Sequence, residues 1–404
     1  MSMNETPSAN RIHIAFFGRR NAGKSSLVNA VTGQNLALVS EVKGTTTDPV
    51  YTAMELLPLG PVVIIDTPGF DDVGELGELR VDRARRVLNK TDAAVLALDG
   101  ELPHDAALSA AEEELVGLFK ARNLPYIIVR NKCDLYNNEA EVEESEILPV
   151  SAKTGRNINL LKEKIAAIAH TGEPDKRLVA DLIRPLDLVV LVIPIDKAAP
   201  KGRLILPQQQ VIRDVLESGG AAIAVRESEL EKTLANLGKK PSLVVTDSQA
   251  FEQVSAIVPQ DIPLTSFSIL FARYKGFLET SLRGAAALDT LRDSDKILIC
   301  EGCTHHRQCD DIGTVKIPRW IKNYSAKEPQ FCFCSGGDFP EELSTYKLII
   351  HCGACMLNQR EMQYRRRQAE SQNVPFTNYG IAIAHIQGIL KRSVAMLDIQ
   401  GINL

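Results

Sequence analysis

The chain has 404 residues, 45% hydrophobic and 24% charged, with a formal net charge of −5. That length suits about two to four domains and the composition is that of an ordinary globular chain, while the acidic balance argues against broad nucleic-acid or anionic-membrane binding. The first ten residues carry neither a basic nor an apolar stretch. Apolar runs such as Leu188–Ile195 fall far short of the roughly 20 residues of a membrane helix, so a cytoplasmic protein without a secretory signal or membrane span is expected.

The first element is an apolar run of strand type, Ile12–Phe17. It leads into Gly18-Arg19-Arg20-Asn21-Ala22-Gly23-Lys24-Ser25 and a helical stretch, Ser26–Val31. Strand, glycine loop and helix in this order match the phosphate-loop pattern G-x-x-x-x-G-K-[ST]. The glycines let backbone N–H groups curl around a phosphate, and the helix N-terminus adds partial positive charge. Gly18, Asn21, Ala22, Gly23, Lys24, Ser25 and Ser26 are the expected phosphate set, with Lys24 on the β- and γ-phosphates and Ser25 on Mg2+. A threonine in Val42–Asp48 can complete the Mg2+ shell only when a γ-phosphate is present, which is how a switch loop senses nucleotide state. Val62–Ile65 then delivers Asp66-Thr67-Pro68-Gly69. Asp66 can hold Mg2+ through water, and the Gly69 N–H can meet the γ-phosphate and turn away when it leaves.

Ala93–Asp99 and Tyr126–Arg130 read as buried parallel strands with helices between them. The second ends in Asn131-Lys132-Cys133-Asp134. A carboxylate there can accept from N1–H and the 2-amino group of guanine, which adenine lacks. The stem of Lys132 can lie over the base. Ile147–Val150 leads to Ser151-Ala152-Lys153, whose backbone N–H can meet the 6-oxo group. Five such elements in this order make residues 11–170 resemble the GTPase domains of the translation-factor-related class, and within it the potassium-activated, dimerising group typified by MnmE and Era. The resemblance implies Ser25, Thr46 and Asp66 around Mg2+, Lys24, Thr46, Asp66 and Gly69 as the catalytic set, and Asn131, Lys132, Asp134 and Ser151–Lys153 around guanine. It makes Asn21 a K+ ligand; the plainer role is a loop-stabilising side chain. Phe70 stands where Ras-like proteins carry a water-orienting glutamine, implying slow intrinsic hydrolysis or help from K+ or a partner.

Gly172-Glu173-Pro174-Asp175 is a polar, turn-rich break. Beyond it, strands at Leu186–Ile195, Ala221–Val225 and Ser242–Thr246 alternate with helices at Leu206–Ser218, Glu227–Leu237 and Ser248–Val258, which implies a parallel sheet. Asp196, Lys197 and Arg203 read as a solvated loop. With no visible chemistry, the segment is assigned to dimerisation or spacing.

Seven of the eight cysteines lie from Cys300 onward. In a cytoplasmic chain that clustering suggests metal ligation rather than disulfides. Lys296–Cys300 and Tyr346–Ile350 read as parallel strands that run into Cys303-Thr304-His305 and His351-Cys352-Gly353-Ala354-Cys355. Parallel strands end on one edge, so these clusters can converge. Cys303, Cys352 and Cys355 offer three sulfurs, with His305 or His351 as a possible fourth ligand or pocket wall. Spacing alone leaves Zn2+ and an iron–sulfur cluster equally open, with a Cys352/Cys355 redox dithiol as a lesser alternative. Phe331–Cys334 reads as a strand, and the basic run Arg365–Arg367 as a solvated helix face.

The whole order resembles the [FeFe]-hydrogenase maturation GTPase family, HydF. That resemblance implies a [4Fe–4S] cluster on three cysteines with one exchangeable position. It also implies a scaffold that carries a transient diiron subcluster to the apo-hydrogenase, with radical-SAM maturases as further partners and a homodimer through the middle domain. The expected fold is α/β: a P-loop GTPase domain (1–172) followed by two smaller α/β domains with mainly parallel sheets, one for dimerisation (173–270) and one for the cluster (271–404). The expected cofactors are GTP/GDP, Mg2+, K+ and the cluster. The alternative is a GTP-dependent RNA or ribosome assembly factor with a structural zinc module; the acidic charge and the lack of a basic–aromatic surface count against it.

Overall fold

The apolar residues of Ile12–Gly18 have no polar face: Ile14 and Phe16 enter one core, and Ala15 and Phe17 enter another. Such a strand belongs at the centre of a parallel sheet covered on both sides. The computed structural model describes residues 6–34, 48–70, 75–100, 108–135, 146–169, 177–195, 204–302, 311–397 and 399; of 75–81 only the helical backbone is described. These fall into two units, Met1–Pro174 and Asp175–Leu404.

In the first unit the order is β1 (Ile12–Gly18), α1 (Lys24–Thr32), β2 (Val50–Leu56), β3 (Gly60–Asp66), α2 (Glu75–Leu88), β4 (Ala93–Leu98), α3 (Ala110–Ala121), β5 (Tyr126–Arg130), β6 (Ile147–Pro149) and α4 (Ile158–Ala169). The sheet order is β2-β3-β1-β4-β5-β6. All pairs are parallel except β2, which lies antiparallel to β3 at the edge. Sequence reading left β2 out, because Val50–Leu56 alternates exposed and half-buried residues and ends beside Pro58.

The second unit continues with β7 (Leu188–Val192), α5 (Leu206–Glu217), β8 (Ala221–Val225), α6 (Leu230–Asn236), β9 (Leu243–Thr246), α7 (Phe251–Ile257), β10 (Leu264–Ser266), α8 (Phe267–Tyr274) and α9 (Leu278–Ala285). Then come β11 (Lys296–Glu301), α10 (Ile317–Ser325), β12 (Gln330–Ser335), β13 (Leu348–His351), α11 (Gln359–Ser371), β14 (Phe376–Asn378), α12 (Tyr379–Ile386) and α13 (Leu390–Val394). The strands form two four-stranded parallel sheets, ordered β10-β9-β7-β8 and β14-β13-β11-β12. The expected division at residue 270 falls inside α8, and one hydrophobic core runs through both sheets.

The two sheets are copies. Register pairs Val192 with Thr246 and Thr246 with Ser266; in the other sheet it pairs Cys300 with His351 and His351 with Asn378. Ser266 caps α8 by accepting from the Ile269 N–H, and Asn378 caps α12 by accepting from the Ile381 N–H. Each of these helices ends at a left-handed glycine, Gly276 or Gly388. The halves then exchange helices: α9 packs on β14 and α13 on β10. At Gly284 on α9 an added Cβ would lie 2.1 Å from the Phe376 carbonyl oxygen. Gly284→Ala is therefore expected to destabilise the second unit by about 1–3 kcal/mol through overpacking, despite alanine's better helix propensity. Urea unfolding of the full chain, with guanine-nucleotide binding unchanged, is the check.

Candidate functional site

The phosphate loop is shaped by positions only glycine can fill. Gly18 (φ 145°) and Gly23 (φ 81°) are left-handed, and a Cβ would meet the Ala97 carbonyl at 2.2 Å and Asn131 Nδ2 at 2.2 Å respectively. Asn21 is also left-handed, at φ 65°. Gly23 stands ahead of α1, so the backbone N–H groups at its start point into the loop. Lys24 is buried, and its ammonium bonds the Gly18 and Arg19 carbonyls at 3.1 and 2.8 Å. Ser25 Oγ donates to Asp66 at 2.5 Å. Burial raises the Asp66 carboxyl above its usual range, against the lowering effects of the Ser25 hydroxyl and the Lys24 charge. A divalent cation between Ser25 and Asp66 would return that carboxyl to its anion. Gly69 lies against Arg20, where a Cβ would approach the Arg20 nitrogen to 3.1 Å. Thr46 lies outside the described residues.

The base end is tied to the phosphate end by one side chain. Asn131 Nδ2 donates to the Ala22 carbonyl at 3.1 Å, and its Oδ1 accepts from the Ala152 N–H at 3.1 Å. Ser151 Oγ donates to Asp134 at 2.5 Å, and this bond holds the Asp134 carboxyl below the ordinary carboxylate range. Asp134 is therefore an ionised, half-buried acceptor. Lys132 is left-handed (φ 61°), and its ammonium sits 2.9 Å from Asp99. Lys153 follows in the same turn. Phe70 is buried in the core beneath Arg85 and cannot orient a water molecule.

In the second unit, β11 and β13 are adjacent and parallel, so Gly302 and Cys352 leave the sheet side by side. Cys352 Sγ accepts from the Gly302 N–H at 3.1 Å and the Ala354 N–H at 3.4 Å. Two such donors stabilise a sulfur anion. Burial pushes the Cys355 thiol up to about 11, with the neighbouring Cys352 adding to the rise. This pair therefore stays protonated unless a cation draws off its protons. Among the described residues no three of His, Cys, Asp and Glu cluster as a complete metal set. Cys303, His305 and Cys309 lie outside the described residues.

His351 is fully buried and lowered to about 3, first by burial and then by the Arg365 charge. A guanidinium only donates, so His351 Nε2 accepts from Arg365 at 3.0 Å, and its Nδ1–H donates to the Cys352 carbonyl at 2.9 Å. Both ring nitrogens are engaged in orienting the cysteine loop. Arg365 is itself 0% exposed; it bonds Glu361 at 2.9 Å and the Gly336 carbonyl, and lies over Phe339. The expected solvated face thus holds for part of the Arg365–Arg367 run only. Position 365 of α11 faces the sheet, and a run of three arginines hides that phase in the sequence.

Three further groups were missed. Tyr379 opens α12 with a buried hydroxyl that has no hydrogen-bond partner among the described residues. Its phenol is held well above its usual range by burial and by the acidic groups around it, Cys352 and Glu301 among them. A Cβ at Gly313 would lie 2.3 Å from that hydroxyl and 2.8 Å from Glu301 Oε1, so glycine allows both to gather beside the thiols. Lys275, at the end of α8, is the third. Cys300 and Cys334 pair across β11 and β12, the Cys300 thiol donating to the Cys334 sulfur. Buried thiols with N–H donors, an orphan phenol and nearby cations suit a thiolate-ligated metal or cluster.

Three family models match. The hydrogen maturase F tetramerization domain covers residues 279–396, the hydrogen maturase F dimerization domain 178–276, and the 50S ribosome-binding GTPase 13–132. GTPase Der of Wolinella succinogenes is 36% identical over 179 residues, 41% of this chain and 37% of that protein. The tRNA modification GTPase MnmE of Mannheimia succiniciproducens is 35% identical over 156 residues, 38% of this chain and 34% of that protein. The chain thus spans little more than a third of the length of these relatives. Among the described residues no helix is long and apolar enough to cross a membrane.

Asp134→Ala removes the carboxylate that the sequence motif assigns to guanine. It is expected to weaken GTP and GDP alike by about 100-fold or more, since hydrogen bonds to a charged group contribute about 1.5–3 kcal/mol each; calorimetric titration on a normally melting protein is the check. Arg365→Met is expected to cost the second unit about 3–5 kcal/mol by leaving Glu361 buried without its partner. Adding Glu361→Leu should recover part of that loss in the same denaturation experiment.

Proposed function

Since its two assembly domains and its GTPase domain place the chain in the hydrogen maturase F family, we propose that it is a GTP-hydrolysing maturation scaffold whose C-terminal thiols hold a [4Fe–4S] cluster and carry a diiron subcluster precursor to apo [FeFe]-hydrogenase. The observation that carries this reading is the Cys352–Cys355 loop. It lies at the carboxyl end of β13 in the matched tetramerization domain, with two N–H groups on Cys352 Sγ and a neutral histidine fixed behind it.

The nucleotide work divides among named groups. The backbone of Gly18–Ser25 and the Lys24 ammonium bind phosphate; Ser25, Asp66 and Thr46 hold Mg2+; Gly69 reads the γ-phosphate. Asn131, Asp134 and Ser151–Lys153 select guanine. With Phe70 buried, the water must be oriented from elsewhere. K+ bound at Asn21 would add positive charge at the transferring phosphoryl group. In the second unit Cys303, Cys352 and Cys355 are the cluster ligands. A cluster on three thiolates supplies one iron open to exchange. His351 orients the loop, and His305 is left as the fourth ligand or pocket wall. The assembly domains support a homo-oligomer, with the dimer through residues 178–276. Radical-SAM maturases and apo-hydrogenase are the proposed partners, and the cytoplasm the proposed location.

The RNA or ribosome assembly reading draws on residues 13–132 and gives the C-terminal thiols a structural zinc, but it does not account for the two maturase F models matched over 178–276 and 279–396. Protein purified without oxygen and reconstituted with iron and sulfide should give a reduced [4Fe–4S] EPR signal. Cys303→Ser and Cys352→Ser should each abolish it while GTP turnover continues. A colourless protein with one tight zinc per chain would replace the scaffold reading with the assembly-factor reading.

A further inference from the structure

Lys275 is the residue after α8, inside the matched dimerization domain, yet its side chain ends in the other half of the unit. It is 1% exposed, and its ammonium donates to the Ala354 carbonyl at 2.7 Å and to the Leu357 carbonyl. A lysine at a helix C-terminus ordinarily caps its own helix. This one reaches away to the backbone that follows Cys352 and brackets Cys355. We propose that Lys275 is a positioning residue for the cysteine loop: it fixes the Cys352–Cys355 backbone in ligating shape and stabilises negative charge on the two sulfurs. The proposal rests on the reading of that loop as a ligand loop.

Two observations carry it. The first is the cost of the arrangement. An ammonium buried against neutral carbonyls is unfavourable unless negative charge lies close by. Among the described residues the acids whose charge bears on Lys275 are the Cys355 and Cys352 thiols, so the cation makes sense when these are thiolates. Burial, against the raising effect of Cys355 and Cys352, lowers the amine to about 8, which leaves it largely protonated near neutrality.

The second is the duplication, which supplies an internal comparison. Ser266-Phe267 and Asn378-Tyr379 open equivalent helices, and Gly276 and Gly388 close them, so the counterpart of Lys275 is Gln387. Gln387 is neutral, and the loop after β9 in the other sheet, Asp247–Ala250, contains no cysteine. The charge thus occurs in the half that faces a sulfur loop and not in the other. The link also joins the matched dimerization domain to the backbone of the cysteine loop.

The test compares full-length wild type, Lys275→Gln and, should that variant misfold, Lys275→Met, whose unbranched stem fills the same channel. Thermal melting and GTP turnover confirm folding. Co2+ titration of metal-free protein, followed by thiolate charge-transfer absorption, should show at least a tenfold loss of affinity in the variant. In reconstituted protein the reduced cluster should lose a tenfold stabilisation, a fall of about 59 mV in midpoint potential for one electron. Gln387→Met should move neither value. Unchanged Co2+ affinity and potential in a folded Lys275 variant would overturn the proposal while leaving the cluster reading intact. A wild type that binds Co2+ through thiolates but builds no cluster, with the variant weakened, would keep the role of Lys275 and remove the cluster reading. A wild type that binds neither would remove both.

Discussion

Strands that run parallel must end on the same edge of their sheet, and among the described residues the two site edges of this chain are built on that constraint. In the first unit the carboxyl ends of β1, β3, β5 and β6 deliver the Gly18 loop, Asp66, Asn131 and Ser151 to one edge. In the second, the ends of β11, β13 and β14 deliver Glu301, His351-Cys352 and Asn378-Tyr379. Ligand sites of open α/β sheets form there because the loops are free to vary while the strands fix their starting points. An antiparallel sheet would send alternate ends to opposite edges. β2, the antiparallel strand, contributes no site residue among those described.

Buried charge marks both edges, with different partners. At the nucleotide edge the buried Lys24 meets two carbonyls and the buried Asp66 meets Ser25, while Lys132 meets Asp99 and Asp134 is only half-buried. At the thiol edge Lys275 and Arg365 are all but sealed from solvent, with Glu361 and Glu301 nearly so. Charges taken out of water are tolerated only with close partners. Arg365 has Glu361, a carbonyl and the neutral His351, while Lys275 has two carbonyls and the sulfurs. The guanidinium acts on the cysteine loop through the histidine and the ammonium through the backbone. A hydrophobic pair of similar volume would stabilise the fold as well or better, so the positions of these cations answer to the sulfurs they flank.

The nucleotide edge was legible because its signals are local. Gly18–Ser25, Asp66–Gly69 and Asn131–Asp134 each occupy a few consecutive residues, and strand–loop–helix order links them. The parallel strands that deliver them were legible as apolar runs, including β11 and β13, whose adjacency brings the cysteine clusters together. What escaped was long-range. Lys275 acts on Ala354 and Leu357 about 80 residues away, and Tyr379 reaches Glu301 from the far side of Gly313. Arg365 looked like part of a solvated run because neighbouring arginines mask its phase on α11. The sheet duplication was also invisible, because Val192 and Val225 in one copy stand where Cys300 and Cys334 stand in the other. Small side chains exchange at buried strand positions with little change in volume, which erases the repeat from the sequence and leaves it in the hydrogen-bond register.

That divergence explains why the thiol edge needs both copies. His351 replaces Thr246 at the same register position, and a buried imidazole needs a partner for each nitrogen. The partner is Arg365, seven residues into α11, a helix of 13 residues where the matching α7 has 7. The longer helix thus brings a guanidinium beneath the histidine, where the shorter one ends. The loop's remaining support, Lys275, comes from the other copy, and the exchange of α9 and α13 locks the copies together. Cutting the unit between its sheets would separate Lys275 from Ala354 and strip β14 of its covering helix. The cysteine loop is therefore a property of the whole second unit, and neither sheet alone supplies the groups that hold it.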